Sequence, residues 1–280
     1  LRLSAVHVWI NGHVLPDPGA GIISAADHGF TVGDGVFEAI KVLRGVPFAL
    51  TRHLERLSTS AAGIGLPAPD LDDVRRGVAA VLGAAPLELG RLRITYTGGP
   101  APMGSGRGHS APTLVVVADA MPAWPETTTI VTVPWPRNER GAVAGLKTTS
   151  YAENVVALAE AHRHGATEAI FANTVGNLCE GTGSNIFYVL DGELRTPTLA
   201  SGCLAGVTRA LVVDWCGARE IDEPIERVAA EASEVFLAST TRDVQGVRQW
   251  GERSFAAPGE ITRACIEIWR RRESEDSDPR

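Results

Sequence analysis

Cys179-Glu180-Gly181-Thr182-Gly183-Ser184-Asn185-Ile186-Phe187 sets a carboxylate, a run of small residues and the start of an apolar strand in direct succession. Small residues let a planar ring lie close to the backbone, and a carboxylate aimed at a pyridine nitrogen keeps that nitrogen protonated, which makes the ring an electron sink. The same residues also suit a glycine-rich hairpin with a solvated glutamate, so the stretch is read with its neighbours. Upstream lies Gly145-Leu146-Lys147-Thr148-Thr149-Ser150-Tyr151, a lysine after an apolar stretch and before a helix expected over Glu153–His164. An ammonium group seated at the end of a buried strand has a lowered pKa and a free amine suited to imine chemistry, whereas a snorkelling surface lysine is the alternative. Downstream, Ala205-Gly206-Val207-Thr208-Arg209 runs from a loop into a helix whose free N–H groups can bind phosphate, or is an ordinary helix start. Ser239-Thr240-Thr241 offers further hydroxyls, and Arg56 in His53-Leu54-Glu55-Arg56-Leu57 a guanidinium.

Of the 26 basic residues among 280, only Lys41 and Lys147 are lysines. A coding bias toward arginine explains the arginines, but not why these two positions kept an amine. Lys41 lies on the opposite strand face from Glu38 and reads as structural or solvated.

The chain is long enough, at 44% hydrophobic content, for two globular domains. Strand and hairpin signals come first: His7-Val8-Trp9-Ile10, the Asn11-Gly12 dipeptide, then alternation from Val36 to Leu43 before Arg44-Gly45. The period changes to helical at Leu54, Leu57, Ala61 and Ile64, Asp70 is a plausible N-cap for a second helix, and strands follow at Arg91–Thr97 and Thr113–Ala118. The proline-containing segment 119–126 predicts a linker between a small α/β domain, 1–118, and a larger one, 127–272, with a polar disordered tail at 273–280.

The net charge of −7 and the lack of a basic block interleaved with aromatics argue against nucleic acid as a partner. No stretch suggests a signal peptide or a membrane span. Cys179, Cys203, Cys216 and Cys265 are widely spaced without a CxxC pair, which argues against a metal site and a disulfide framework and for a reducing, cytoplasmic location.

The order of the pieces resembles the class-IV aminotransferase family, the fold-type IV pyridoxal 5′-phosphate (PLP) enzymes: His53-x-x-Arg56-Leu57, Lys147, Glu180-Gly-x-Gly-x-Asn185, Gly206-Val-Thr-Arg209 and the Ser-Thr-Thr run. The resemblance covers nearly the whole chain. It implies a two-domain α/β (α+β) fold like that of D-amino acid aminotransferase, with PLP in the interdomain cleft, and a homodimer in which a loop of the neighbouring subunit completes the pocket. It makes Lys147 the Schiff-base lysine and proton shuttle and Glu180 the partner of the pyridine nitrogen. Arg56, Val207, Thr208 and Thr240 then hold the phosphate, and Tyr151, one position off its spacing in branched-chain transaminases, approaches the cofactor's phenolic oxygen.

Within that family the chain is most similar to the 4-amino-4-deoxychorismate lyases of folate synthesis, through His28–Glu38, Leu146–Asn154 and the Gly98–Gly108 loop. Such an enzyme eliminates pyruvate to leave 4-aminobenzoate from a small anionic amine with two carboxylates. Arg91, Arg93 and Thr95 fall on one strand face with Arg107 in the loop beyond, and branched-chain transaminases carry Tyr-x-Arg where this chain has Arg-x-Arg. Arg91, Arg93, Arg107 and Thr241 are therefore the expected substrate contacts. Glu38-Ala39 departs from the hydroxyl residues of some lyases, which leaves a transaminase of D-amino acids, branched-chain amino acids or (R)-amines as the alternative.

Overall fold

The computed structural model describes residues 6–15, 17, 23–84 and 87–280. Contacts divide the chain into two compact units, one formed by Leu1–Ala123, Leu146–Ser150 and Ser277–Arg280, the other by Trp124–Gly145 and Tyr151–Asp276. The division after Ala123 lies inside the expected linker, but two later segments return to the first unit. The segment around Lys147, expected in the domain 127–272, is one of them.

In the first unit, β1 (His7–Ile10), β2 (His13–Val14), α1 (His28–Thr31), β3 (Gly35–Leu43), β4 (Val46–Pro47), α2 (Leu50–Gly63), α3 (Leu71–Ala84), β5 (Leu89–Thr97) and β6 (Thr113–Ala120) follow one another. Their strands form one antiparallel sheet in the order β2-β1-β6-β5-β3-β4. The alternation in β3 sends Val36, Ile40 and Val42 into a core with Leu92, Ile94 and Val116 of the sheet and Leu54, Leu57, Val74 and Val78 of α2 and α3. Gly77 lets α3 approach the sheet, because a Cβ there would stand 2.8 Å from the Trp9 ring and 2.9 Å from Val116.

The terminal residues expected to be disordered are instead part of this unit. Helix α2 starts after Ala49, whose φ of 52° and methyl side chain provide no cap. Asp278 supplies one from the end of the chain: its Oδ1 accepts the Thr51 N–H at 2.8 Å and its Oδ2 the Thr51 hydroxyl at 2.6 Å. The Ala49 N–H also donates to the Ser277 carbonyl, and Arg52 Nε to that of Pro279. The polar composition of the tail therefore satisfies a helix end rather than solvating a free segment.

The second unit contains β7 (Thr127–Thr132), α4 (Ala152–Arg163), β8 (Glu168–Ala172), β9 (Leu178–Gly181), β10 (Asn185–Leu190), β11 (Glu193–Thr196), α5 (Val207–Cys216), β12 (Arg219–Glu220), α6 (Ile225–Glu231), β13 (Glu234–Ser239), β14 (Asp243–Trp250), β15 (Arg253–Ser254) and α7 (Glu260–Glu275). Its sheet runs β12-β11-β10-β13-β14-β7-β8-β9, with β15 on β14. The β14–β7 and β7–β8 pairs are parallel, and α4 makes the crossover between β7 and β8 that a parallel pair requires. Strand β10 is buried at every position, which explains its unbroken apolar run Ile186–Leu190. Helix α7 extends to Glu275, past the expected end of the ordered chain. No helix among the described residues is long and apolar enough to cross a membrane.

Candidate active site

Lys147 is not at a strand end. It lies in an irregular segment that docks on the N-terminal part of β3: Lys147 O accepts the Phe37 N–H at 3.0 Å, Thr149 N donates to Gly35 O at 2.8 Å, and Thr148 bridges Val36. This docking position exists because β4 pairs only with Val42 and Leu43. The Lys147 N–H donates to Ser60 Oγ of α2 at 3.1 Å, which fixes the segment to the helix as well. Its Nζ lies 4.4 Å from the centroid of the Phe37 ring.

The Phe37 ring also carries Arg93, whose guanidinium carbon is 3.9 Å from the centroid and whose Nε donates to Thr95 Oγ1 at 3.1 Å. The register explains the meeting: Phe37 pairs with Thr95 and Ala39 with Arg93, so these side chains share one face of the sheet. Arg91 continues that face opposite Lys41 and is exposed, whereas Lys41 is buried and lies over Phe48 at 5.8 Å. Arg107 anchors its loop, with Nε and Nη2 on the Asp34 carboxylate at 2.7 and 2.5 Å and further bonds to the carbonyls of Ile64 and Gly65. The Arg107 bond is the main reason that the Asp34 carboxyl sits below the ordinary carboxylate range.

Glu38 occupies the other face of β3, among the apolar residues, and is fully buried. Arg56 grips it with Nε at 2.9 Å and Nη2 at 2.6 Å, and His53 Nδ1 donates to Oε2 at 2.7 Å. Burial by itself would raise the pKa of this carboxyl, but the charge and hydrogen bonds of Arg56, with His53, hold it at about 2. Burial is also the main reason that His53 titrates below its usual value, and the nearby positive charges of Arg56 and Lys147 add to it. Neutral His53 with its proton on Nδ1 is the form that satisfies the carboxylate. The departure noted at Glu38-Ala39 is thus an ionic tie between β3 and α2, on the face away from Lys41.

In the second unit, Glu180 lies on β9, and its Oε2 accepts the Leu204 N–H at 2.8 Å. Arg137 Nε stands 3.4 Å from Glu180 Oε1, with the guanidinium 4.1 Å above the Phe171 ring. Arg137 Nη1 binds Glu153 and, at 3.1 Å, Asn154 Oδ1 in the first turn of α4, just after Tyr151. Sequence reasoning missed Arg137, because the Pro134-Trp135-Pro136 run before it gives no sign of a partner far along the chain. Burial pushes the Cys203 thiol up to about 11 and the Cys179 thiol also upward, so both remain protonated beside this carboxylate.

Helix α5 begins at Val207, as expected, and its N-cap Gly206 has no side chain to cover the first N–H groups. A Cβ at Gly206 would fall 2.1 Å from Asn185 Oδ1, and Asn185 Nδ2 in turn donates to Leu204 O at 2.9 Å. Val207 and Thr208 are buried in the first turn. Thr240 and Thr241 are half-buried in the turn between β13 and β14.

These residues fit PLP by the chemistry of the donor set. The first unit offers a lysine amine with a guanidinium on the same ring; the second offers a carboxylate, an uncapped helix start and threonine hydroxyls. Ser184 Oγ, in the loop after Glu180, is buried with no hydrogen-bond partner among the described residues, as expected of a group that awaits a ligand or a water.

Residues 35–250 match the family model described as amino-transferase class IV. The bifunctional aminodeoxychorismate lyase / D-amino acid transaminase of Mycobacterium tuberculosis is 31% identical over 77% of this chain and 79% of its own. A hypothetical aminotransferase of the same organism, solved in a PLP-bound form, superposes with a TM-score of 0.83 at 26% identity, covering 95% of this chain and 97% of the other. A branched-chain aminotransferase from Thermoproteus uzoniensis, solved with norvaline, gives a TM-score of 0.82 at 27% identity over 95% and 94%.

Proposed function

The chain belongs to the class IV aminotransferases, a PLP-dependent enzyme family, and from that premise we propose that it is a lyase that eliminates pyruvate from 4-amino-4-deoxychorismate to give 4-aminobenzoate. One observation carries this reading: Lys147 Nζ and the Arg93 guanidinium rest on the same Phe37 ring, at 4.4 and 3.9 Å from its centroid. An amine that works beside a fixed cation suits an amine substrate that bears carboxylates.

Bound PLP supplies an aldehyde that captures the substrate amine and a ring that withdraws electrons from the carbon next to it. In this reading Lys147 would hold the cofactor through its aldehyde carbon, and Glu180 would keep the ring nitrogen protonated. Arg56, Val207, Thr208 and Thr240 hold the phosphate, and Tyr151 the phenolic oxygen. Lys147 Nζ would remove the proton of the amine-bearing carbon; the bond between the ring carbon and the enolpyruvyl oxygen would then break, the departing enolpyruvate would take a proton on its methylene carbon to become pyruvate, and the six-membered ring would become aromatic. Arg91, Arg93 and Thr241 orient the two carboxylates, whereas Arg107, expected from the sequence to join them, is taken up by Asp34 and the carbonyls of Ile64 and Gly65 and holds its loop instead. The enzyme acts as a homodimer in the cytoplasm.

A second reading, transamination of D-amino acids, is favoured by the Mycobacterium tuberculosis relative that carries both activities in its name. There Lys147 Nζ would pass the proton it has taken on to the bound cofactor instead of leaving the substrate to eliminate. Supplying aminodeoxychorismate and measuring pyruvate and 4-aminobenzoate separates the two: stoichiometric release of both is expected. Amine exchange that requires a keto acid and yields neither product would establish the transaminase.

A further inference from the structure

Glu168 opens β8 inside the second unit and is 2% exposed. Its Oε1 accepts the Thr182 N–H at 2.8 Å, the Thr182 hydroxyl, and the Gly183 N–H at 3.2 Å. Its Oε2 accepts Arg242 Nη2 at 2.8 Å. Arg242, whose side chain is 8% exposed, is held from two more sides: Nη1 donates to Gln245 Oε1 at 2.7 Å, and the guanidinium lies 3.9 Å from the Trp124 ring centroid. Gln245 Nε2 donates on to Pro125 O at 2.7 Å.

A buried ion pair is a weak source of stability, because desolvating both charges offsets most of their attraction. What such a pair fixes well is geometry. Here one carboxylate holds two chain segments far apart in sequence. Thr182 and Gly183 lie two and three positions after Glu180, and Arg242 closes the turn that presents Thr240 and Thr241. Neither Glu168 nor Arg242 is assigned a contact with the cofactor or substrate.

We propose that Glu168 and Arg242 are positioning residues that set the spacing between the Glu180 loop and the Thr240–Thr241 turn, so that the ring end and the phosphate end of one cofactor are gripped in register. This rests on the assignment of Glu180 and Thr240 given above. Breaking the pair on the Arg242 side leaves the Glu180 loop tied to Glu168 through Thr182 but releases the threonine turn. The loss therefore falls on the phosphate end.

The test is a titration of apoprotein with PLP and, separately, with pyridoxal, which lacks the phosphate, followed by absorbance. In Arg242→Gln the affinity for PLP falls about tenfold or more, as for loss of a preorganised hydrogen bond to a charged group, while that for pyridoxal changes about twofold or less. Glu168→Gln narrows the ratio of the two affinities in the same sense. If either single variant fails to fold because it strands a buried charge, Glu168→Gln combined with Arg242→Gln removes both charges and carries the same comparison. Equal losses for PLP and pyridoxal, or no loss for either, overturn the proposal. Thr240→Val keeps the underlying assignment separate: if it leaves the PLP-to-pyridoxal ratio at the wild-type value, the phosphate assignment is wrong, whereas a reduced ratio there with unchanged ratios at 168 and 242 rejects the positioning role alone.

Discussion

Val36, Glu38, Ile40 and Val42 point one way from β3, while Phe37, Ala39 and Lys41 point the other, and the two faces use their charged groups differently. On the core face the single carboxylate is enclosed, with its partners one helical turn apart on α2 at His53 and Arg56. On the opposite face Phe37 supports two cations, Lys147 and Arg93, which come from a remote segment and from the next strand. The core face uses charge to join a strand to a helix. The other gathers cations around a ring. A period of two residues along one strand is enough to separate the two tasks.

The largest expected effect lies on the Phe37 face. Lys147→Ala should lower turnover by at least about 10³-fold, as for loss of a residue that acts directly on the reacting carbon, while circular dichroism and Tm stay near wild type. Borohydride reduction followed by peptide mapping should find the pyridoxyl label on Lys147, and a label elsewhere would remove the site from this face. On the core face, Glu38→Ala strands the half-buried Arg56 guanidinium and leaves a cavity in the core, and should cost about 3–5 kcal/mol of stability in denaturant unfolding. Glu38→Gln, which keeps hydrogen-bonding capacity, should cost less.

The same face sets an acid limit. The Glu38 carboxyl is held at about 2 against its ordinary 4.5, so its contribution is complete above about 4.5 and is lost as the pH falls toward 2. That contribution is on the order of 3 kcal/mol. His53 acts in the same direction, since its lowered pKa means that protonation below its ordinary 6.5 favours the unfolded chain. Unfolding free energy measured from pH 7 to 2 should drop through this window in the wild type and more shallowly in Glu38→Gln; parallel curves would show that Glu38 is not the group responsible.

Smaller effects sharpen the contrast. Phe37→Leu removes the ring beneath both cations and should raise KM severalfold, with about 0.5–2 kcal/mol of cation–π energy lost. Lys41→Met preserves volume on the same face away from Lys147 and should change stability by less than about 1.5 kcal/mol, with kcat near wild type. A kcat as low as that of Lys147→Ala would make Lys41 part of the chemistry.

Local signals determined much of this protein. Alternation along β3 and β5, the helical period of α2, the unbroken apolar run of β10 and the glycine-led start of α5 each reflect forces between residues a few positions apart, and their elements formed where the pattern placed them. Lys147, Glu180, Val207 and Thr208 stood out because amines, carboxylates and helix starts carry their chemistry in their own residue types. The return of 146–150 to the first unit, the capping of α2 by Asp278, the burial of Glu38 between His53 and Arg56, and the links of Glu168 to Arg242 and Arg137 to Glu180 have no counterpart in sequence spacing. Each depends on which distant backbone offers a vacant edge or an unsatisfied donor once the sheets are formed. A charged residue has the same letter whether it ends in water or in an ion pair, and only the folded chain decides which.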